Sequence, residues 1–194
     1  RMEAILKMME DTFSTSGNSD MRPNTISYVT AIDSFVRQKH ENAAERAQAT
    51  VDRMIKLYRL NQGHVKPTKI VLNTLIHAWS KSDKPNSAEK AEQIFKWMET
   101  QHRNGDELLR RDEITICAVL NAWANQAKTG GATRAQKIWE LTKSVSLEKR
   151  GFPLTINMPN IVINAIAKSG DLQAAQKAEA VLLSVESDFE EGRQ

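Results

Sequence analysis

Hydrophobic positions along this chain fall three and four residues apart, and the same grouping returns about every 44 residues. Tyr28, Ile32 and Phe35 form one stripe, Leu72, Ile76 and Trp79 the next, and Ile116, Leu120 and Trp123 a third, with Ile166 standing 43 residues beyond Trp123. Spacing of this kind puts each trio on one face of a helix. A second pattern follows each stripe. Ala44-Glu45-Arg46-Ala47, Ala88-Glu89-Lys90-Ala91, Ala132-Thr133-Arg134-Ala135 and Ala175-Gln176-Lys177-Ala178 all read Ala-x-(Arg/Lys)-Ala. Two small side chains three apart on one face let a helix lie close against a partner. Beyond each tetrapeptide come the pairs Thr50 and Val51, Ile94 and Phe95, Ile138 and Trp139, and Val181 and Leu182, then Met54, Met98, Thr142 and Val185.

Each unit is therefore two helices. The first is predicted near 25 to 38, 69 to 82, 113 to 127 and 156 to 168, the second near 43 to 60, 87 to 103, 132 to 148 and 172 to 187. An orphan second helix near 1 to 12 carries Met2, Ile5, Leu6 and Met9 in the matching places. The turns RQKHEN, KSDKPN, NQAKTGG and KSGD are rich in breakers and charge, as are the links NQGHVKP, RNGDELLRRD and KRGFPLT. Asn24, Thr68, Asp112 and Thr155 precede the four first helices, and all four side chains are suited to accept a hydrogen bond from the free amides of a helix start. No segment alternates convincingly as a strand. A period found this way implies a repeat architecture, here an all-α solenoid of about four helical hairpins. The predicted layout is a single helical-repeat domain over 1–194, with a leading half-repeat 1–24 and repeats 25–68, 69–112, 113–155 and 156–194. Phe95, Trp97, Met98 and Trp139 are assigned to the packing between hairpins, and Trp79 and Trp123 likewise.

Composition narrows the function classes. A chain of 194 residues with 40% hydrophobic and 26% charged content can bury a sizeable core, and no apolar run reaches the length of a membrane span. Net charge of +3 is compatible with an anionic partner but far below the dense basic patches of strong nucleic-acid binders. The chain opens at Arg1, so a native targeting segment is expected to have been trimmed away. The one cysteine, Cys117, cannot form an internal disulfide. His40, His64, His77 and His102 share no metal-ligand spacing, and neither a phosphate loop nor a nucleophile motif is present. Gly130-Gly131 reads as a flexible connector, and Glu186, Asp188, Glu190 and Glu191 as a frayed acidic tail. No enzymatic activity, cofactor, metal or small-molecule substrate is expected.

Period alone leaves the repeat type open, because 44 residues suits HEAT or armadillo units. The motifs differ from those. Pro67-Thr68-Lys69-Ile70-Val71-Leu72-Asn73-Thr74-Leu75-Ile76 resembles the opening of a pentatricopeptide repeat, and Pro23-Asn24-Thr25-Ile26-Ser27-Tyr28 is a further match. Lys168-Ser169-Gly170-Asp171-Leu172-Gln173-Ala174-Ala175 is similar to the turn of that family, and Ala91-x-x-Ile94-Phe95-x-x-Met98 to its second helix. The resemblance spans nearly the whole chain. It departs from the family in about nine extra residues per unit. The Trp-x-x-Leu-Gly-x-x-Tyr string of tetratricopeptide repeats is missing.

The resemblance implies a right-handed α-solenoid in which each repeat faces one base of a single RNA strand, and an organellar setting, mitochondrion or plastid. It implies base-reading positions at Val29, Asn73, Cys117 and Asn160, paired with repeat-closing residues Thr68, Asp112 and Thr155. Asn73 with Asp112 is the one family-standard pair and implies a preference for uracil, the amide offering donor and acceptor and the carboxylate orienting it. Ile26, Ile70 and Ile114 match the family's base clamp, and Arg37, Lys81 and Lys168 its phosphate contacts, while Asn157 and Asn125 break those two patterns. Plainer readings stand beside these. Asn73 could be a solvent-facing helix residue costing about 0.6 kcal/mol against alanine. The isoleucines could be simple packing, and Arg37, Lys81 and Lys168 could complement helix dipoles. A rival function is a protein-binding scaffold of tetratricopeptide type, suggested by the long period, the off-code pairs and the small net charge. If Arg37, Asn73, Lys81 and Lys168 share one continuous face, RNA is favoured over a peptide.

Overall fold

The computed structural model describes residues 2–38, 41–60, 65–149 and 154–191, with the side chains of 145–149 and 188–191 outside the description. Among the described residues the regular structure is entirely helical. The α-helices are α1 (Met2–Ser16), α2 (Thr25–Arg37), α3 (Ala43–Arg59), α4 (Lys69–Ser80), α5 (Ser87–Arg103), α6 (Glu113–Asn125), α7 (Gly131–Lys149), α8 (Asn157–Lys168) and α9 (Ala174–Glu191), with three one-turn 3₁₀ segments between them. Only α1 and α9 depart from the expected bounds by more than two residues. The helix of α9 runs through the acidic residues to Glu191, so the backbone there is helical rather than frayed. Glutamate is a good helix former. His40 and His64 lie outside the described residues.

The helix starts divide two and two. Asn24 accepts from the Ser27 amide at 3.0 Å while the Ser27 hydroxyl accepts from the Asn24 amide, and Asp112 and Thr115 repeat the arrangement. These reciprocal caps satisfy two free amides at each start. The other two expected caps are not made. Thr68 stands at the cap position of α4, but its hydroxyl oxygen is turned into the packed interior and meets no partner. At α8 the cap position falls on Ile156, and the Thr155 hydroxyl instead donates to the Glu113 carboxylate. A hydroxyl turned to a neighbouring carboxylate is not available to its own helix.

The first helices pack side by side, α4 against α2 and α6, and α6 against α8. Each second helix lies on its own first helix and on the next one: α3 on α2 and α4, α5 on α4 and α6, α7 on α6 and α8. The row of first helices is thus covered on one side by second helices and left open on the other. The predicted packing stripes are the core, with Tyr28, Ile32, Leu72, Ile76, Ile116 and Leu120 essentially inaccessible. Trp79, Trp123 and Trp139 are buried as well, and Trp97 is half-buried against the same core. Ala44, Ala47, Ala88, Ala91, Ala132 and Ala135 are all buried, as close helix packing requires. Three positions differ from expectation, the first being Ala175 of the fourth alanine pair, which is exposed. Ile5 in α1 is 45% exposed while Glu10 beside it is buried. Leu182 is 46% exposed although its equivalents Val51, Phe95 and Trp139 are buried, because no following first helix lies on α9 among the described residues.

Polar side chains tie successive hairpins together at one repeated register. The Trp79 indole donates to Gln48 at 3.0 Å, and the Trp123 indole donates to Glu92 at 2.9 Å. Both bonds run from a first helix to the second helix before it. Glu92 also accepts from Arg134 at 2.8 Å and pairs with Lys96 at 2.8 Å. At the N-terminal end, Glu10 accepts from the Tyr28 hydroxyl at 2.9 Å and pairs with Arg53 at 2.7 Å. Burial pushes the Glu92 carboxyl up, but the bonds from Arg134 and Lys96 outweigh it and hold the pKa down at about 2.

Gly130-Gly131 is a steric requirement rather than a flexible connector. Gly130 has φ of +92°, and a Cβ on Gly131 would stand 2.1 Å from the Trp123 carbonyl oxygen and 2.6 Å from that of Gln126. The helix α7 starts in direct contact with the end of α6.

Two consequences are measurable. Gly131→Ala lowers stability by more than about 2 kcal/mol in urea unfolding, since backbone rather than a flexible side chain must move. Glu92→Gln costs about 2 kcal/mol at pH 7. A depressed carboxylate stabilises fully above its unfolded pKa of about 4.3 and loses that contribution as pH falls toward its folded value. The stability gap between wild type and Glu92→Gln therefore closes between about pH 4.5 and the pKa of about 2.

Candidate nucleic-acid interface

The open side of the first-helix row carries residues at fixed steps from each helix start. At the start stand Ile26, Ile70 and Ile114, which are 72%, 56% and 68% exposed. Packing does not account for them, since a β-branched apolar side chain at the same open place in three successive helices is a surface feature. One turn along come Val29, Asn73 and Cys117, half-buried, and Asn160, exposed. A further turn brings Asp33, His77, Asn121 and Asn164. At the C-terminal ends stand Arg37, Lys81, Asn125 and Lys168, all exposed. A turn advances about 5.4 Å, so these form four parallel rows crossing the helices.

The expected cations meet at the row's C-terminal edge. Arg37 and Lys81 line one groove at the ends of α2 and α4, and Lys81 and Lys168 line the next, together with Lys84 and Lys128. Glu41, Asp83 and Glu89 lie in the same grooves and moderate their charge. Lys84 is partly committed, paired with Glu45 and bonded to Asn42 at 3.1 Å. Asn125, which breaks the cationic pattern, is spent on structure: its amide donates to the Ser80 carbonyl at 2.6 Å.

The repeat-closing residues sit at the opposite, N-terminal edge. Asp112 caps α6 through one oxygen and pairs through the other with Lys69 at 2.8 Å. Burial raises its pKa, and the bonds from Lys69 and Thr115 bring it below the usual range. The next repeat has a matching contact, in which Glu113 accepts from both Thr155 and Asn157. In both cases the first residue of one first helix grips the start of the following one. Lys69 is one turn before Asn73 on the same helix face, which brings Asp112 to the mouth between α4 and α6.

No hydrogen bond joins the Asp112 carboxylate to the Asn73 amide. Both of its oxygens are engaged elsewhere, and the Asn73 Oδ1 is buried with no hydrogen-bond partner. The Thr68 hydroxyl oxygen is in the same condition. A buried acceptor without a partner is costly, and Glu45 Oε2 on α3 is in the same condition. Cys117 is raised to about 11 by burial and then by the Glu113 charge, leaving a neutral thiol with little nucleophilic character.

The row of Asp33, His77, Asn121 and Asn164 escaped the sequence reading. Its signal was mainly the shared register, since an acid, an imidazole and two amides do not look like a repeated residue. His77 is held below its usual pKa by burial and then by the charge of Lys81, against an opposing pull from Asp33. Among the described residues no three His, Cys, Asp or Glu side chains gather as a metal site would require, and no helix is long and apolar enough to cross a membrane. The chain matches no protein-family model and no curated protein.

The unpartnered Asn73 oxygen sets a measurable expectation. Asn73→Ala raises stability by about 1 kcal/mol in urea unfolding, through removal of an orphan acceptor and a gain in helix propensity.

Proposed function

We propose that this chain is a segment of a right-handed, pentatricopeptide-like α-solenoid that binds single-stranded RNA along the open side of its first helices. The observation that carries the reading is the register of that surface. Exposed isoleucines at the helix starts, small side chains one turn on and cations at the ends stand in the same order on α2 and α4, while α6 lacks the cation and α8 the isoleucine. A strand lying across the helices would meet apolar side chains suited to base faces, then hydrogen-bonding groups, then charge for phosphates. In repeat 69–112 the half-buried Asn73 amide stands at the reading level and favours uracil, with its buried oxygen turning outward to meet the base. Asp112 contributes by closing the mouth between α4 and α6. Four repeats engage about four bases, at one base per repeat. The role is binding rather than catalysis, in mitochondrial or plastid RNA processing, stability or translation.

A peptide-binding scaffold is the rival, favoured by the exposed isoleucines and by the acids among the cationic grooves. Binding to labelled single-stranded RNA over a salt series separates the two. RNA binding gives micromolar retention that weakens with salt, and Arg37→Ala, Lys81→Ala and Lys168→Ala each flatten the logarithmic salt slope by about 0.7. Retention that is absent, or a slope unchanged in all three variants, overturns the reading.

A further inference from the structure

The reading row and the row beyond it differ in chemistry. Val29 and Cys117 present no amide or carboxylate to a base edge, yet one turn further on the same helices stand Asp33 and Asn121. Where the reading row already holds an asparagine, at Asn73 and Asn160, the next row holds His77 and Asn164. The row beyond is therefore polar in every repeat, whereas the reading row is polar only in repeats 69–112 and 156–194. Every first helix carries an amide or carboxylate on its open side, and in repeats 25–68 and 113–155 that group stands at the lower level alone. Asn121 is exposed, Asp33 is half-buried, and neither side chain makes a hydrogen bond to another described group. Their rows are adjacent, because α2 packs side by side with α4 and Lys81 stands one turn after His77 on the same helix face.

Building on the proposed RNA-binding role, we infer that base selection in repeats 25–68 and 113–155 is made by Asp33 and Asn121, one helical turn below the level used by Asn73. The shift is about 6 Å along the axis. It brings the selecting group to within one turn of the helix-end positions Arg37 and Asn125, so a base there would lie closer to the cationic edge. Repeat 156–194 carries an amide at both levels and is not assigned to either. The chemistry differs between the two helices. An ionised carboxylate only accepts hydrogen bonds, so Asp33 favours bases with an exocyclic amine at their pairing edge, cytosine, adenine or guanine, and disfavours uracil, whose single N–H is flanked by carbonyls. Asn121 offers both a donor and an acceptor and selects by the order in which a base presents them.

The experiment is selection from a randomised single-stranded RNA pool at fixed salt, with the bound fraction sequenced for wild type, Asp33→Ala, Asp33→Asn, Asn73→Ala and Asn121→Ala. Wild type enriches amine-bearing bases over uracil about tenfold at one position, and Asp33→Ala abolishes that enrichment. Asp33→Asn restores uracil there. Asn73→Ala alters the adjacent position and Asn121→Ala the one beyond it. Circular dichroism melting establishes that each variant is folded. Enrichment that survives both Asp33→Ala and Asn121→Ala, or pools bound by wild type with no preference at those two positions, overturns the inference while leaving RNA binding intact. Wild type that retains no RNA overturns the binding role and this inference together.

Discussion

Each inner first helix must bury several sides at once. Helix α4 is packed by α2 and α6 on its flanks and by α3 and α5 behind it, and α6 is held in the same way. Such a helix has only a narrow strip of about a third of its circumference left for anything but packing. The consequence is strict: a functional residue has to fall at the register defined by Ile70, Asn73, His77 and Lys81, or at the helix ends. The same restriction acting on each neighbour is what aligns the strips into rows.

The seams between hairpins keep those rows in alignment. Trp79 on Gln48 and Trp123 on Glu92 are the same bond made twice, each from a first helix to the second helix of the preceding unit. The second is reinforced by Arg134 and Lys96 around the Glu92 carboxylate. A buried carboxylate is tolerated only when paired, and pairing makes its position specific. Sliding one hairpin along the next by a turn would break the indole bond and strand the charge. Within the α6–α7 hairpin, the contact of Gly131 with the end of α6 fixes the start of α7, because a Cβ there would meet backbone carbonyls.

Most of the packing was legible in the sequence, since apolar stripes and paired alanines recur in residue type as well as position. Tyr28, Leu72 and Ile116 could be read as equivalent without coordinates. What failed was any feature whose chemistry changes from unit to unit. Thr68 and Thr155 look like caps, yet one hydroxyl turns inward and the other is drawn to Glu113, a choice made by the packing of neighbouring repeats. Glu92 reads as an ordinary surface acid until Arg134, Lys96 and Trp123 are seen to converge on it. The row of Asp33, His77, Asn121 and Asn164 was hidden for the same reason: residue type is shared only by its last two members, and position is weaker than identity as a sequence signal. Gly131 reads as flexibility because a glycine pair gives no hint of the carbonyls beside it.

A surface that selects partners by hydrogen bonding must keep some groups unsatisfied until the partner arrives, and that costs stability in the free chain. The Asn73 acceptor and the Thr68 hydroxyl, both buried without partners, sit on successive repeats near the reading level. The exposed isoleucines are a second cost of the same kind, because apolar area left in water contributes nothing to folding. Neither feature helps the helices form or pack. The isoleucines lie on the strip of each first helix that packing leaves open, the Asn73 and Thr68 oxygens are turned into the packed side, and the buried acids Glu10 and Glu92 are fully paired. Buried polar atoms without partners also occur on the second helices, at Glu45 and Arg53, so the feature that distinguishes the open face is its row of exposed isoleucines, which packing does not explain.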